Sequence, residues 1–419
     1  MIEVLPSRIQ GEVRVPGSKY VANRVLLIAA LAQGTSCVSN LPENDDVFHV
    51  VEALRALGVS VELNDGTAII RGADGKLAAG AHVEVENSGT LFRFITAIAS
   101  LSQGEVVITG SKRISERPIT PLLNALHTLG LRTDSLSSGS VPLKVIGGTL
   151  DGGNVTLRDS VSSQFVSALL LVAPYAKKAV SVSLEGASSS LVYIGLTIDA
   201  MAKFGVRVEK NRNGTRFDVL PGQRYKPQNL EIPSDWSSAN YLFAGAALTG
   251  GSVTVRNLEK GQPESGFIDA LSGMGCEVKR EGDAITVAGS GNLNALSLDM
   301  SEMPDAVQTL AVLASFAKGT TRITGIANLR FKESDRIGDT ITELQKLGIV
   351  AKYENGVLSI HGETPKGATI DSHGDHRMAM SFALAGLKIP GVRIQDQDCV
   401  GKSFPGFWKA LESAGGKLR

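Results

Sequence analysis

Charged and hydroxyl side chains collect in a few short stretches of this 419-residue chain. Lys19 and Arg24 sit in PGSKYVANR, and Arg93 follows the segment NSGT. A basic loop comes next, Ser111-Lys112-Arg113-Ile114-Ser115-Glu116-Arg117-Pro118, and then the triplet Ser162-Ser163-Gln164. Asp305 lies in SEMPDAVQ. The loop Asn328-Leu329-Arg330-Phe331-Lys332-Glu333-Ser334-Asp335-Arg336 precedes Asp375-His376-Arg377 and Lys402. Brought together, these residues set many cations around two or three carboxylates. Guanidinium and ammonium groups in that number suit a substrate that carries phosphate and carboxylate groups. Asp305 and Glu333, flanked by cations, are the acid–base candidates.

The elements that must position them recur along the chain. Six segments share one ending, an amphipathic helix that closes on a glycine and passes into a strand: ALRALGVSVE at Gly58, ALHTLGLRTD at Gly130, AMAKFGVRVE at Gly205, ALSGMGCEVK at Gly275, ELQKLGIVAK at Gly348 and ALESAGGKLR at Gly415. The intervals are 72, 75, 70, 73 and 67 residues. Glycine fits the position after a helix because it enters the left-handed region without a Cβ penalty. Upstream of each ending lies a short β-rich run, and before that an apolar helix opened by small polar residues. Those openings, and the polar loops that follow the β-rich runs, contain the reactive stretches above. A helix N-terminus presents free N–H groups and the positive end of a dipole, so each opening is read against two alternatives, a plain capping turn and an anion site. Six βαβαββ-like repeats of about 70 residues divide most simply into two three-repeat domains. The boundary is expected near Ile232-Pro233-Ser234 and a first hinge at Pro16-Gly17.

Composition narrows the function. Lys and Arg number 42 against 42 Asp and Glu, which argues against a general nucleic-acid binder or a polybasic membrane-surface protein. No run approaches the roughly 20 apolar residues of a spanning helix, and the N-terminus lacks a charged-then-apolar leader pattern. Cys37, Cys276 and Cys399 are scattered and odd in number, which reads as reduced cytoplasmic thiols and not a disulfide or metal framework.

Taken in order, PGSK-x3-NR, NSGT-x2-R, RISERPI, SVSSQF, MPDA, N-x-R-x-KE-x-DR, DHRMAM and K-[ST]-FP resemble the EPSP synthase family of enolpyruvyl transferases, from Gly11 to Phe407. The resemblance implies an α/β protein of two similar domains, each of three βαβαββ units, the inside-out α/β barrel of these enzymes. On this sequence the domains become residues 16–232 and residues 1–15 with 233–419. It implies transfer of the enolpyruvyl group of phosphoenolpyruvate to the 5-hydroxyl of shikimate 3-phosphate, with release of phosphate, as the domains close around the substrates. Lys19, Gly89, Arg117, Gln164, Arg336, Arg377 and Lys402 are then expected to hold phosphoenolpyruvate. Lys19, Tyr20, Arg24, Ser162, Ser163, Ser190, Asp305, Asn328 and Lys332 are expected at the acceptor. Asp305 is the implied base for the acceptor hydroxyl, and Lys19 touches both substrates. Lys402, Glu333 and His376 are left open as carriers of the methylene proton. No metal and no cofactor are implied, and the expected state is a cytoplasmic monomer.

Three sites depart from the family pattern. Tyr20 replaces a serine after PGSK, Phe94 replaces a proline after Arg93, and Leu191-Val192 replaces Lys-Pro before Tyr193. A phenol at position 20 reaches several ångströms beyond a serine, so a related transferase with a different hydroxyl acceptor is the alternative, and a non-catalytic binding paralogue is a third. The sister family that acts on UDP-N-acetylglucosamine has a reactive cysteine where RISERPI stands, and no cysteine lies between Cys37 and Cys276. Gly401-Lys402-Ser403 lacks the upstream glycine of a phosphate-binding loop, since Asp396 stands there. His373 reads as a loop or capping residue, and Asn44-Asp45-Asp46 as the cap of the following helix.

Overall fold

The structure, a computed structural model, describes residues 1–135, 140–158, 162–186 and 191–419. The chain divides into two compact lobes, Ser18–Ile232 and Met1–Gly17 with Pro233–Arg419. Among the described residues each lobe is built on three four-stranded sheets, none closed into a barrel, and one further two-stranded pairing joins Leu293–Asn294 to Ala317–Lys318.

All six four-stranded sheets have one strand order, which the second repeat shows. Ala81–Glu84 runs parallel to Glu105–Thr109, which is antiparallel to Leu143–Ile146, which is antiparallel in turn to Arg132–Ser135. Between the parallel strands lies the buried helix Gly89–Ile98, and between the second strand and the hairpin lies the amphipathic helix Thr120–Thr128. Repeat one takes its leading strand, Asn229–Glu231, from beyond repeat three. Repeat four takes Gly11–Glu12. In repeat six the strand Ile2–Leu5 fills the place of the missing hairpin arm, with Ile2 opposite Ile394 and Val4 opposite Leu418.

The repeated glycines act as helix stops. All six stand at φ between +83° and +101°. At each, the next residue's N–H returns to the carbonyl five residues back: Val59 to Leu54 (3.0 Å), Leu131 to Leu126 (3.0 Å), Val206 to Met201 (2.9 Å), Cys276 to Leu271 (3.0 Å), Ile349 to Leu344 (3.0 Å) and Gly416 to Leu411 (2.8 Å). This double-bonded cap satisfies carbonyls that a frayed end would leave to water, and it turns the chain into the hairpin.

The helices that open the repeats are buried almost all round. Every residue of Lys19–Leu31 after Lys19 is buried, and every residue of Trp236–Thr249 before Thr249. Their sequences lack an exposed polar face because they fill the centre of each lobe, and the sheets take up the boundary with solvent. Glu105–Thr109 alternates buried and more exposed positions, as a half-solvated strand must. No helix among the described residues is long and apolar enough to cross a membrane.

Close packing of hairpin on helix leaves no space at Gly72. A Cβ there would overlap the carbonyl oxygen of Ala32 and lie 2.6 Å from that of Ala29. Gly362 meets Ala317 and Ala314 in the same way in repeat five. Gly195, inside the helix Leu191–Lys203, has open space around it, with nothing within 4 Å of where a methyl group would stand. Gly72→Ala is therefore expected to lower stability by about 3 kcal/mol, the scale of an overpacked core. Gly195→Ala is expected to raise it by about 1 kcal/mol through helix propensity. Urea unfolding of the two variants checks this, and equal effects would contradict the packing account.

Candidate active site

In the first lobe the openings at Lys19 and Gly89 are not ordinary capping turns. Ser18 and Ser88 occupy the N-cap positions without a capping side-chain bond, and both hydroxyls are buried with no hydrogen-bond partner among the described residues. The first-turn N–H groups are left for another acceptor, which is the anion-site arrangement. At three further openings the capping reading holds: Ser162 accepts from Gln164 N, Asp235 from Ser238 N and Asp375 from Arg377 N, whereas the fifth opening has no side-chain cap.

Lys19 Nζ lies 3.0 Å from Asp46 Oδ2 and 5.6 Å from the centroid of the Tyr20 ring. The neighbouring Asn44 caps the helix Asp45–Ala56 through Val47 N, so the polar turn has a second use that its sequence did not announce. Tyr20 packs edge-on against Tyr193 at 5.3 Å.

Arg24 is 2% exposed. Its Nε donates to Thr197 Oγ1 (2.7 Å), Nη1 to the Tyr20 carbonyl (2.8 Å) and Nη2 to the Tyr193 carbonyl (3.1 Å). Thr197 in turn donates to Ser167 Oγ at 2.8 Å. The guanidinium lies 5.2 Å from the Phe94 ring centroid. No carboxylate among the described residues is within ion-pair distance of it, and burial pulls its pKa down to about 10. A buried cation held by neutral dipoles is costly unless an anion joins it. Tyr20 and Phe94, two of the departures from the family pattern, and Tyr193, which follows the third, all lie against this group.

Gly89 is small because Arg117 lies over it. A Cβ at Gly89 would overlap the Arg117 guanidinium. Arg93 braces the pair, donating to the carbonyls of Gly89 (3.0 Å) and Pro118 (2.8 Å). Gln164 Nε2 donates to Thr90 Oγ1 at 3.1 Å, next to the same helix start. Ser163 is buried at the start of its helix, and Ser190 lies outside the described residues.

The second lobe solves its electrostatics differently. Asp305, at the start of the helical run Pro304–Ala306, accepts from Arg336 Nη1 at 2.7 Å and from Arg377 Nη2 at 3.1 Å, with Lys332 Nζ at 3.8 Å. Arg336 donates further to both oxygens of Asp375 (2.7 and 3.2 Å) and pairs with Glu333 at 3.0 Å. Lys402 Nζ stands 3.8 Å from the other Glu333 oxygen. Burial opposes the charge on Asp305, but Arg377, Lys332 and Arg336 overcome it and hold the carboxyl well below its ordinary range. Burial also opposes the charge on Arg336, and Asp375, Glu333 and Asp305 outweigh it, holding the guanidinium above its ordinary value. Arg377 Nη1 meets the hydroxyl of Tyr241, whose pKa burial pushes up to about 12.

The lobe thus gathers Asp305, Lys332, Glu333, Arg336, Arg377 and Lys402. Asn328 stands on the short helix that leads into Lys332, and its buried Oδ1 has no partner among the described residues. The His376 side chain is fully buried, with Nδ1 3.5 Å from Asp375 Oδ1, whereas Lys402 and Glu333 keep 16% and 14% of their side-chain surface. No group of three or more His, Cys, Asp or Glu placed to hold a metal occurs among the described residues.

Sequence reasoning passed over Asp375 as a partner, although it adjoins His376-Arg377. It also passed over Thr197 and Tyr241, which sit in apolar helices with no local signal.

The family model described as EPSP synthase (3-phosphoshikimate 1-carboxyvinyltransferase) matches residues 5–411. A 3-phosphoshikimate 1-carboxyvinyltransferase of Methanoculleus marisnigri is 41% identical over 404 residues, covering 96% of each chain. One of Methanosphaerula palustris is 43% identical over 409 residues, again covering 96% of each. Among solved structures, an EPSP synthase from Acinetobacter baumannii superposes with a TM-score of 0.84 at 28% identity, covering 100% of this chain and 99% of that one. The enolpyruvyl transferase NikO from Streptomyces tendae superposes with a TM-score of 0.79 at 18% identity, covering 100% and 98%, a likeness of fold.

Removing the guanidinium at the centre of the second-lobe cluster leaves the buried Asp375 without a cationic partner at hydrogen-bond distance and takes one of three cations from Asp305. Arg336→Met is expected to lower the unfolding free energy by about 3–5 kcal/mol, the cost of breaking a buried ion pair from one side. Denaturant titration of the wild type and the variant measures it, and a loss under about 1 kcal/mol, the range of an exposed pair, would contradict the arrangement.

Proposed function

The chain belongs to the EPSP synthase (3-phosphoshikimate 1-carboxyvinyltransferase) family, and we propose that it transfers the enolpyruvyl group of phosphoenolpyruvate to the 5-hydroxyl of shikimate 3-phosphate, releasing phosphate. The observation that carries this reading is the ionised Asp305 ringed by Arg336, Arg377 and Lys332. Transfer breaks the C–O bond between the vinyl carbon and the phosphate oxygen. The methylene must first gain a proton, which makes the adjacent carbon electrophilic, and the acceptor hydroxyl must lose one as its oxygen bonds to that carbon. Departure of phosphate and loss of a proton from the new methyl group then restore the double bond on the acceptor.

In this reading Lys19, Gly89, Arg117, Gln164, Arg336, Arg377 and Lys402 hold phosphoenolpyruvate. Arg24, Ser162, Ser163, Ser190, Asp305, Asn328 and Lys332 hold the acceptor, with Lys19 meeting both substrates. Gly89 leaves room for Arg117, and the open helix start at Gly89 adds N–H donors beside it. Arg24, with no carboxylate at ion-pair distance among the described residues, suits an anionic acceptor. Asp305 is a weak base while three cations press on it. Anionic substrate groups that engage Arg336, Arg377 and Lys332 compete with that pressure and make the carboxylate a better proton acceptor. Burial disfavours His376 as the partner of the methylene, so the solvent-reached pair Lys402 and Glu333 is assigned that proton. Action as a monomer in the cytoplasm, without metal or cofactor, belongs to the same reading.

Tyr20 favours a second reading, a related transferase whose acceptor differs from shikimate 3-phosphate near Arg24, because the Tyr20–Tyr193 pair lies beside that guanidinium. Phosphate release from phosphoenolpyruvate on addition of shikimate 3-phosphate separates the two. The wild type is expected to release phosphate, and Asp305→Asn to lower kcat by about 10²–10⁴, the range of a lost general base. A wild-type protein inert toward this pair would overturn the assignment and leave the second reading.

A further inference from the structure

Outside the proposed substrate contacts, a histidine is gripped by two carboxylates. His373 belongs to the segment Asp371–Asp375, which joins the strand Thr369–Ile370 to the helix His376–Gly386, and it stands at φ +52°. Its Nε2 lies 2.8 Å from Glu343 Oε1 and its Nδ1 3.6 Å from Asp339 Oδ1. Both acids project from the helix Arg336–Lys346, three and seven residues after Arg336 and hence on the same face. Glu343 is fully buried, and its second oxygen accepts from Asp371 N at 3.1 Å. Lys346 Nζ shares the first oxygen at 2.8 Å. The backbone N–H of His373 donates to Asp371 Oδ1 at 2.8 Å. The same segment ends on Asp375, which takes two donors from Arg336 and caps Arg377.

The helix and the segment are therefore fastened twice. One fastening is Arg336 on Asp375, and the other, two turns along the helix, is Asp339 and Glu343 on His373 and Asp371. We infer that His373 is a positioning residue, a proton-dependent clip that sets Asp375 against Arg336 and so fixes how Arg336 and Arg377 meet phosphoenolpyruvate. The inference rests on the reading that these two arginines hold that substrate. A neutral imidazole donates from only one nitrogen, so it satisfies one of the two acids, whereas the protonated ring donates to both. The other charged groups around it are accounted for: Lys346 is turned to Glu343, Asp371 accepts the His373 N–H, and Asp375 is committed to Arg336 and Arg377. Burial raises the pKa of Asp339, with Asp335 and Asp375 adding to it while a hydrogen bond from Ser334 and the neighbouring His373 work against it.

The test compares the KM for phosphoenolpyruvate at about pH 6 and about pH 8, the span in which a histidine titrates. Relative to the wild type, His373→Gln is expected to raise this KM about tenfold at the lower pH, the scale of one lost charge-assisted hydrogen bond, and to match it at the higher pH. Effects on kcat are expected to be far smaller at both. Because two proteins are compared at each pH, titration of the substrate itself cancels. Asp339→Asn, which leaves the backbone at position 373 untouched, is expected to narrow the same gap between the two pH values. Variants that track the wild type at both pH values overturn the clip. Arg336→Lys serves as the control: if it leaves this KM unchanged, the substrate reading has failed and the clip with it, and if it raises the KM while the other variants track the wild type, only the clip has failed.

Discussion

Arg336 carries almost no solvent-exposed surface, and its donors are directed to Asp305, Asp375 and Glu333. Neither side of that arrangement survives alone. A guanidinium in that position without carboxylates would carry the full cost of burial, and the carboxylates without it would repel one another. The network fixes geometry as well as charge. Asp375 accepts from Arg336 at both oxygens and from the N–H of Arg377 at one of them, so the guanidinium sets where the helix His376–Gly386 begins. Arg377 then returns to Asp305, closing a triangle of Asp305, Arg336 and Asp375–Arg377. Lys332 and Lys402 attach to its edges through Asp305 and Glu333.

The triangle depends on three helix starts being brought together, and the repeated unit does this. Each buried helix runs between parallel strands of one sheet, so its N-terminus emerges at the same place in every repeat, and the glycine stop fixes the partner helix. The two lobes use that placement with different electrostatics, although Lys19 of the first lobe is also paired, with Asp46 at 3.0 Å. In the second lobe every principal cation has a carboxylate beside it, and an arriving anion must compete. In the first, Arg24 sits among neutral donors and acceptors, and the helix starts at Ser18 and Ser88 lack capping bonds. A pre-paired cation favours adjustable acid–base chemistry, and an unpaired one favours capture of an anion.

Much of this was legible in the sequence. The six glycines gave the repeat because a left-handed C′ position leaves few substitutes for glycine, and the apolar openings gave the buried helices. Asp305, Glu333 and their cations stood out because acids gathered with many Lys and Arg side chains point to an anionic substrate and acid–base chemistry. What could not be read is equally physical. The strands Ile2–Leu5, Gly11–Glu12 and Asn229–Glu231 complete sheets whose other strands lie far away in sequence, and nothing local specifies that pairing. Thr197 and Tyr241 are polar atoms on apolar helices, seen only once Arg24 and Arg377 are placed over them. Phe94 looked like a loss from the family pattern, yet it packs on Arg24.

The central claim is that Arg336, Arg377 and Lys332 hold Asp305 ionised until substrate anions draw on those cations. Titration of the Asp305 carboxyl carbon by NMR, in the free protein and with phosphoenolpyruvate and the acceptor bound, tests it most directly. In the free protein the carboxyl should stay ionised well below the ordinary aspartate value of about 3.9, and its pKa should move upward when the substrates bind. A carboxyl that titrates near the ordinary value and ignores the substrates would contradict the account.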